Sequence, residues 1–346
     1  MGRYFGTDGA RGRANDTLTL DMAVKIGQYL GWYYGKENKR HAKILIGKDT
    51  RLSSDMFEMG LAAGATSTGA VVYLLGVCPT PSVSFLIQKE QFDCGIMVSA
   101  SHNPFHDNGI KLFNGEGCKM DPAIEALIED YIDDKSEIEI AVNEKIGHTI
   151  SWDEGLELYE SWLKSVVDID LNGMNIALDL ANGSATSCAA ETLSALGATV
   201  EVIHSAPNGI NINTKCGSTH PQELQRMMKE GNYHVGFAFD GDADRLIAVD
   251  EDGNLIDGDH TMYICGCYMH EKGILHDDVV VTTVMSNLGL YHALTAKGIK
   301  YEQTAVGDKY VFENMMENGY RLVSRDKSFT GSKCIISTGR SGSKWM

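Results

Sequence analysis

A short apolar run gives way abruptly to a hydroxyl-rich loop at Gly95-Ile96-Met97-Val98-Ser99-Ala100-Ser101-His102-Asn103-Pro104. The first four residues predict a buried strand, because short apolar runs bounded by turn residues are typical of strands covered on both faces. In open α/β sheets, ligands bind at the carboxyl ends of the strands, which is where this loop begins. A serine at such a position can accept a phosphoryl group when a base and a cation lie close to it.

Two residues near this loop have the chemistry that a nucleophilic serine needs. His102 can act as a base, and Lys111 can act either as a base or as a charge partner for phosphate. Pro104 and Gly109 favour a compact loop around them. A polar turn with an incidental histidine would have the same short string, so the Ser-His pair alone does not decide the function.

Apolar runs alternate with amphipathic segments along most of the chain. A helix is predicted from the spacing of Met56, Met59 and Ala63, and another is predicted after Pro81. This alternation predicts an α/β fold of three successive domains with mixed sheets covered by helices. Strands are predicted at 44–46, 71–75, 95–98, 175–180, 199–203, 235–239, 279–284 and 301–304.

A second polar cluster, Asp240-Gly241-Asp242-Ala243-Asp244-Arg245, follows the strand predicted at 235–239. Its three carboxylates repel one another unless a cation binds, and oxygen-only ligands favour a hard metal such as Mg²⁺. An EF-hand does not fit, because the sixth loop position is Arg245 rather than glycine. An aspartyl-phosphate phosphatase, with Asp240 as nucleophile, and a solvated acidic turn are the alternatives. Arg245 would balance charge and hold a phosphate or the serine loop.

Three further segments have the composition of anion-binding loops. Arg11 stands among three glycines, which permit close backbone approach to a ligand, although a tight turn has the same composition. Arg51 stands beside hydroxyl residues at a predicted helix start, where N-capping alone would explain the serines. Gly307 and Asp308 stand at a strand-to-helix junction, where they either face substrate or cap the helix.

The composition is that of a soluble globular protein and argues against two classes of partner. The chain has 346 residues, 43% of them hydrophobic, and a formal net charge of −17 at pH 7. Nucleic acids are not expected as partners, because phosphate contacts need clustered Lys and Arg, whereas a local basic pocket can still bind a small anion. The chain has no apolar run of bilayer length and no signal-peptide pattern, so we expect a cytoplasmic protein without a membrane partner. Its eight scattered cysteines predict reduced thiols.

Taken together and in order, these strings resemble the α-D-phosphohexomutase family. The resemblance extends from Arg3 to Leu322 and is strongest to the branch of the family that acts on glucosamine phosphates. Besides the serine loop, the strings that carry it are Phe5-Gly6-Thr7-Asp8-Gly9, Asn211-Ile212-Asn213, Cys216-Gly217-Ser218-Thr219-His220-Pro221 and Phe239-Asp240-Gly241-Asp242-Ala243-Asp244-Arg245.

The resemblance implies an isomerase that interconverts glucosamine 6-phosphate and glucosamine 1-phosphate, for UDP-N-acetylglucosamine synthesis. Ser101 would be a phosphoserine that donates and re-accepts the phosphoryl group through a bisphosphorylated sugar, which also activates the enzyme. Phosphoryl transfer needs mostly positioning and charge stabilisation, which agrees with these residue types. The implied roles are Mg²⁺ ligation by Ser101, Asp240, Asp242 and Asp244, and proton transfer and charge neutralisation by Arg11, His102, Lys111 and Arg245.

The chain departs from the family pattern after Leu322. There the family has a Gly-Glu-x-Ser-Gly-His string that contacts sugar hydroxyls, whereas this chain continues Val323-Ser324-Arg325-Asp326-Lys327-Ser328. Residues 323–346 include five Lys or Arg and one Asp, so this segment has a positive net charge, whereas the rest of the chain has a negative one. We therefore predict domains at 1–148, 149–254 and 255–322, the third incomplete, and no fourth domain. We interpret residues 323–346 as an atypical tail that results from a frameshift or a truncation. The alternatives are a mutase for glucose or mannose phosphates and a non-catalytic remnant that binds Mg²⁺ or sugar phosphate.

Overall fold

The computed structural model describes the chain except for residues 1, 7, 168, 307, 321, 326–332 and 337–346. Its strands form three sheets of seven, five and four strands. Each sheet is built from a consecutive part of the chain, so three α/β domains follow one another. The predicted fold class is therefore confirmed.

The first sheet carries the serine loop at the end of a central strand. Its strands are β1 (Phe5–Gly6), β2 (Gly9–Arg13), β3 (Lys43–Lys48), β4 (Val71–Val77), β5 (Cys94–Val98), β6 (Asp107–Asn114) and β7 (His148–Ser151). They lie in the order β1-β2-β6-β5-β3-β4-β7, with β5, β3, β4 and β7 parallel and the other pairs antiparallel. All five residues of β5 are buried, as expected for an apolar strand between two helical layers. β7 extends this sheet past the predicted boundary at residue 148.

Helices cover both faces of this sheet. They are α1 (Leu20–Asn38), α2 (Ser54–Ser67), α3 (Thr80–Glu90), α4 (Pro122–Ile132) and α5 (Glu154–Val166). α1 and α2 pack closely through glycines: a Cβ on Gly27 would lie 2.1 Å from the carbonyl oxygen of Leu61, and a Cβ on Gly64 would lie 2.1 Å from that of Val24. A larger residue at either position would push the two helices apart.

The second sheet carries the aspartate cluster at the turn between two of its strands. Its elements are β8 (Asn175–Asp179), α6 (Ala189–Ala195), β9 (Thr199–Ile203), α7 (Gln222–Glu230), β10 (Val235–Phe239), β11 (Leu246–Asp250) and β12 (Leu255–Ile256). The strands lie in the order β12-β11-β10-β8-β9, and β9, β8 and β10 are parallel. β10 and β11 are antiparallel neighbours. The turn between them holds Asp240, Asp242 and Asp244 at the carboxyl end of β10, the central strand of the sheet.

The third sheet has four strands around the buried strand β13. Its elements are α8 (Gly258–Glu271), β13 (Val279–Thr283), α9 (Leu288–Ala296), β14 (Lys300–Thr304), α10 (Asp308–Asn318), β15 (Leu322–Arg325) and β16 (Lys333–Ile336). The order is β14-β13-β15-β16, with only the last pair antiparallel. Two short pieces of the predicted tail thus lie in this sheet, because backbone pairing does not depend on side-chain composition. The rest of the tail lies outside the described residues.

All eight strands predicted from apolar runs are present, but two segments interpreted as loops are strands as well. Asp107–Asn114, which includes Gly109, pairs with both β5 and β2. Gly109 marks a close approach and not a turn, since a Cβ there would lie 2.4 Å from the carbonyl oxygen of Ser99. Likewise the glycines around Arg11 belong to the β1–β2 hairpin. Sequence reasoning missed the strands in these two segments, β1, β2 and β6, because Asp, Asn and Gly are depleted in strands.

Two further findings concern the helices and the cysteines of the chain. No helix among the described residues combines the length and apolar character that a membrane span requires. Seven of the eight cysteines, all except Cys334, are thiols outside any disulfide, in agreement with the predicted reduced state. Cys265 and Cys267 lie in α8.

Candidate active site

Ser101 lies at the end of β5, where it meets the aspartate loop of the second domain. Its side chain is buried, and Oγ donates a hydrogen bond to Oδ2 of Asp240 at 2.6 Å. Its backbone is left-handed, with φ of 55°, which is uncommon for a residue other than glycine. Gly241 permits the two loops to approach, because a Cβ there would lie 2.6 Å from the carbonyl oxygen of Ser101. The structure thus brings together the two motifs on which the sequence interpretation rests.

The three aspartates form a compact set of oxygen ligands. Oxygen atoms of Asp240, Asp242 and Asp244 lie within 4.8 Å of one another. Burial, followed by the charges of Asp242 and Asp244, raises the pKa of Asp240 well above its ordinary value. A bound cation would relieve this repulsion, and the donor set of carboxylates and one hydroxyl is the chemistry that Mg²⁺ prefers. The residues present therefore fit a hard divalent cation.

Lys111 enters the same cluster from β6. Its Nζ lies 2.6 Å from Oδ2 of Asp242, and 3.4 Å from Oδ2 of both Asp244 and Asp8. Burial alone would lower the pKa of Lys111, but Asp242, Asp8 and Asp244 together raise it above its ordinary value. Lys111 is consequently held as an ammonium ion, which favours the charge-partner role over the base role.

His102 is neutral in this arrangement. Nη1 of Arg245 lies 3.0 Å from Nδ1 of His102, and a guanidinium can only donate, so Nδ1 accepts and Nε2 carries the ring proton. Burial first, and then the charges of Arg245 and Arg11, lower the pKa of His102 to about 4. His102 can therefore donate a hydrogen bond from Nε2 at neutral pH without carrying a positive charge.

Arg11 lies on β2, at the other side of the cluster. Its Nη2 donates to a carboxylate oxygen of Asp8, which also faces Lys111 at 3.4 Å. Nε of Arg11 is buried and has no acceptor among the residues that the structure describes. A buried donor without a partner is costly, so this side chain has bonding capacity left for an anion.

Arg51 does not lie at an open surface, as a substrate-binding residue would. Its side chain is fully buried, with Nε 2.8 Å from Oδ2 of Asp49. Its Nη2 donates to the carbonyl oxygen of Ser101 at 2.8 Å, and its Nη1 donates to those of Pro104 and Asp107. The carbonyl acceptors belong to the serine loop and the start of β6, so Arg51 holds this loop in place. Sequence reasoning recognised a guanidinium near hydroxyls but not that backbone carbonyls would use it.

The remaining substrate-binding predictions fall in the third domain. Gly307 lies outside the described residues, and Asp308 is the first residue of α10. Their proposed contact with substrate stays a prediction.

Several residues of the site were missed from the sequence because their partners are remote along the chain. Thr80, at the start of α3, donates from its backbone to the carbonyl oxygen of Asp242 at 2.9 Å and from its hydroxyl to Oδ2 of the same residue. Ser99 donates from Oγ to Asp49 at 2.6 Å and accepts from the amide of Ser101 at 2.9 Å. Asn213 reaches Ser101 from the second domain. It lies in the quoted Asn211-Ile212-Asn213 string, which was the available signal.

Comparisons with known proteins identify the family of the chain. Three domain models described as phosphoglucomutase/phosphomannomutase, alpha/beta/alpha domains I, II and III, match residues 2–139, 158–253 and 257–324. Phosphoglucosamine mutase of Lachnoclostridium phytofermentans is 58% identical over 93% of this chain and 72% of its own length.

Two solved structures share the fold. A phosphoglucomutase/phosphomannomutase family protein of Burkholderia thailandensis has a TM-score of 0.82 and 24% identity, covering 99% of this chain and 74% of that one. Aspergillus fumigatus N-acetylphosphoglucosamine mutase, solved in complex with GlcNAc-6P and magnesium, has a TM-score of 0.61 and 16% identity, covering 98% and 68%. From the matched domains and the identity to a phosphoglucosamine mutase, we conclude that this chain belongs to the phosphoglucomutase/phosphomannomutase family, the α-D-phosphohexomutases.

Proposed function

We propose that the chain is a phosphoglucosamine mutase, an isomerase that moves a phosphoryl group between positions 6 and 1 of glucosamine. One observation carries this proposal: the buried hydroxyl of Ser101 lies 2.6 Å from Asp240, inside a ring of three carboxylates and three cationic side chains. The relative at 58% identity acts as a guide to the substrate. The small-molecule partner is thus a hexosamine phosphate.

Ser101 carries the phosphoryl group in the resting enzyme. In the first transfer the bond between phosphorus and Oγ of Ser101 breaks and Oγ takes a proton from Lys111, while a sugar hydroxyl forms a bond to phosphorus and its proton restores the Lys111 ammonium ion. The bisphosphorylated sugar then reorients, and its other phosphoryl group returns to Ser101. A bisphosphorylated hexose or hexosamine that is added to the enzyme also primes it, because it can phosphorylate a Ser101 that has lost its phosphate.

Three cationic side chains and the neutral His102 stabilise the transferring group from different sides. Lys111 is an ammonium ion, so it can supply the proton that Oγ of Ser101 needs on departure. His102 donates from Nε2, while Arg245 fixes the ring through Nδ1 at 3.0 Å. Arg11 offers the buried Nε that has no acceptor within the described part of the chain. Fixed donors of this kind stabilise phosphoryl-transfer transition states because they need no reorganisation during the reaction.

Asp240, Asp242, Asp244 and the oxygen on Ser101 would hold Mg²⁺. When bound, the ion neutralises charge on the phosphoryl oxygens and polarises the phosphorus centre. The residues of this chain contribute the fixed geometry: the turn after β10 presents the carboxylates, and Thr80 fixes Asp242 from the first domain.

A direct assay tests this proposal. The purified chain is incubated with glucosamine 6-phosphate, Mg²⁺ and glucose 1,6-bisphosphate as primer, and glucosamine 1-phosphate is followed. We expect turnover that EDTA abolishes and excess Mg²⁺ restores. Turnover with glucose or mannose phosphates alone would contradict the glucosamine assignment. Uptake of phosphate on Ser101 without turnover on any hexose phosphate would contradict the mutase function and leave a remnant that binds phosphate.

A further inference from the structure

The carbonyl oxygen of Ser101 is held from two domains at once. Nη2 of Arg51 donates to it from the first domain at 2.8 Å, and Nδ2 of Asn213 donates to it from the second domain at 2.8 Å. The same amide of Asn213 also donates to the carbonyl oxygen of Asn103 at 3.1 Å. Asn213 is buried, and its side chain links the carbonyl oxygens of Ser101 and Asn103 within the loop.

The segment that presents Asn213 is itself conformationally strained. Asn213 and Lys215 have φ of 58° and 56°, and Ala181 and Asn182, which face them, have φ of 53° and 48°. The backbone N–H of Asn213 donates to the carbonyl oxygen of Ala181 at 3.0 Å. Left-handed residues other than glycine persist only where surrounding contacts enforce them, and they cluster at functional sites.

Asp179 supplies the contacts that enforce this conformation. At the end of β8, its Oδ1 accepts from the amide of Ala181 at 3.0 Å and its Oδ2 accepts from the amide of Gly217 at 2.8 Å. Nδ1 of His204 also lies 3.0 Å from Oδ1. With Cys216 these are potential metal ligands, within 4.8 Å of one another. Because both oxygens of Asp179 already accept backbone N–H groups, the arrangement favours a buttress for the backbone over a metal site.

We propose that Asn213 is a positioning residue for Ser101, supported by Asp179 and His204, so that docking of the second domain fixes the serine for phosphoryl transfer. The inference rests on the proposed function for its kinetic consequence. Ser101 needs its left-handed backbone to direct Oγ at Asp240, and its loop has no regular structure that would enforce it. Asn213 delivers a donor from the same domain that carries the aspartates, so the nucleophile and the carboxylates move as one unit.

Asn213→Asp tests this inference, because it keeps the shape and removes the two N–H donors. Asn211→Asp is the matched control: Asn211 lies in the same segment, but within the described part of the chain its side chain bonds only to Ala206 and Asn208. We expect Asn213→Asp to lower kcat about tenfold to a hundredfold, with the KM for glucosamine 6-phosphate within about twofold of the parent. The control is expected to retain kcat within about twofold.

Hydrogen exchange of the segment 99–104 provides a readout that does not depend on activity. We expect faster exchange in Asn213→Asp than in the parent and the Asn211→Asp control. Parent kcat and parent exchange rates in Asn213→Asp would overturn the inference. If the parent has no mutase activity, the proposed function fails, and the exchange comparison alone decides whether Asn213 holds the loop. If Asn213→Asp does not fold, Asn213→Ala, which removes the same donors without adding charge, is judged by the same criteria.

Discussion

The interface of the first two domains and the strand-to-helix junction of the third domain differ in how their polar groups are used. At the interface, Ser101, Lys111 and Asp242 are buried and bonded across the domain boundary. At the junction, between Thr304 and Asp308, Ala305 and Val306 are exposed. The comparison shows that the polar groups of the proposed phosphoryl-transfer site are buried between two domains, whereas the two residues that precede Gly307 at the junction are exposed.

This difference predicts separate consequences for substitutions in the two regions. Buried cross-domain contacts govern the chemical step and, in part, stability, because their loss leaves charged or polar groups without partners. The junction, where Gly307 and Asp308 are proposed to contact substrate, is expected to govern the affinity for substrate instead. Four predictions test this division, from the largest expected effect to the smallest.

Replacing the nucleophile has the largest expected effect. Ser101→Ala removes the oxygen that carries the phosphoryl group, so we expect mutase activity to fall by about 10³-fold or more. Ser99→Ala serves as the control: it removes a neighbouring buried hydroxyl that supports the loop but leaves Ser101. It is expected to become phosphorylated and to turn over more slowly than the parent. Phosphate uptake by Ser101→Ala would refute the assignment of the nucleophile.

The two arginines near the serine loop separate stability from chemistry. Arg51→Ala leaves the fully buried Asp49 without its guanidinium, and we expect the free energy of unfolding to fall by about 3–5 kcal/mol. Arg245, whose side chain is 19% exposed, contacts His102. We expect Arg245→Ala to lower kcat by about 10²-fold and the free energy of unfolding by about 1 kcal/mol or less. Urea denaturation and kinetics measure both quantities, and equal stability losses would contradict the distinction.

Asp308 tests the third domain. If Asp308 contacts substrate, Asp308→Asn raises the KM for glucosamine 6-phosphate by about tenfold and leaves kcat within about twofold, since it weakens binding of substrate and transition state alike. A lower thermal midpoint with unchanged KM would instead assign Asp308 to capping α10.

Replacing His204 has the smallest expected effect, a loss of stability that depends on pH. Its hydrogen bond with Asp179, opposed by burial and aided by the charges of Asp179 and Glu223, raises the pKa of His204 above its ordinary value. The protonated ring therefore stabilises the folded state fully below the unfolded pKa of about 6.5, and this contribution disappears as pH rises through the folded pKa. We expect His204→Gln to lower stability at pH 5.5 and to have little effect at pH 9. Equal losses at both pH values would exclude this titration.

The strands and the two polar loops could be predicted from the sequence, but the side chains that hold those loops in place could not. Apolar runs predicted β3, β4, β5 and β10 because burial on both faces requires such runs. The Ser101 and Asp240 loops were recognisable because few structures tolerate those groups without a ligand. Strand β6 was missed, since Asp107-Asn108-Gly109 has the composition of a turn and becomes a strand through its neighbours. Arg51 was misinterpreted for a related reason: its acceptors, the carbonyls of Ser101, Pro104 and Asp107, are fixed only by tertiary structure.

The most direct test is to follow one labelled phosphoryl group through both transfers. The chain, freed of phosphate, is mixed with glucose 1,6-bisphosphate labelled with ³²P and with Mg²⁺, and is then separated from the excess primer. The label on the peptide containing Ser101 is measured before and after unlabelled glucosamine 6-phosphate is added. We expect this peptide to gain one labelled phosphoryl group, which passes to glucosamine phosphates when the substrate is added. Label on any other residue, or label that stays on Ser101 in the presence of glucosamine 6-phosphate, would contradict the proposed function.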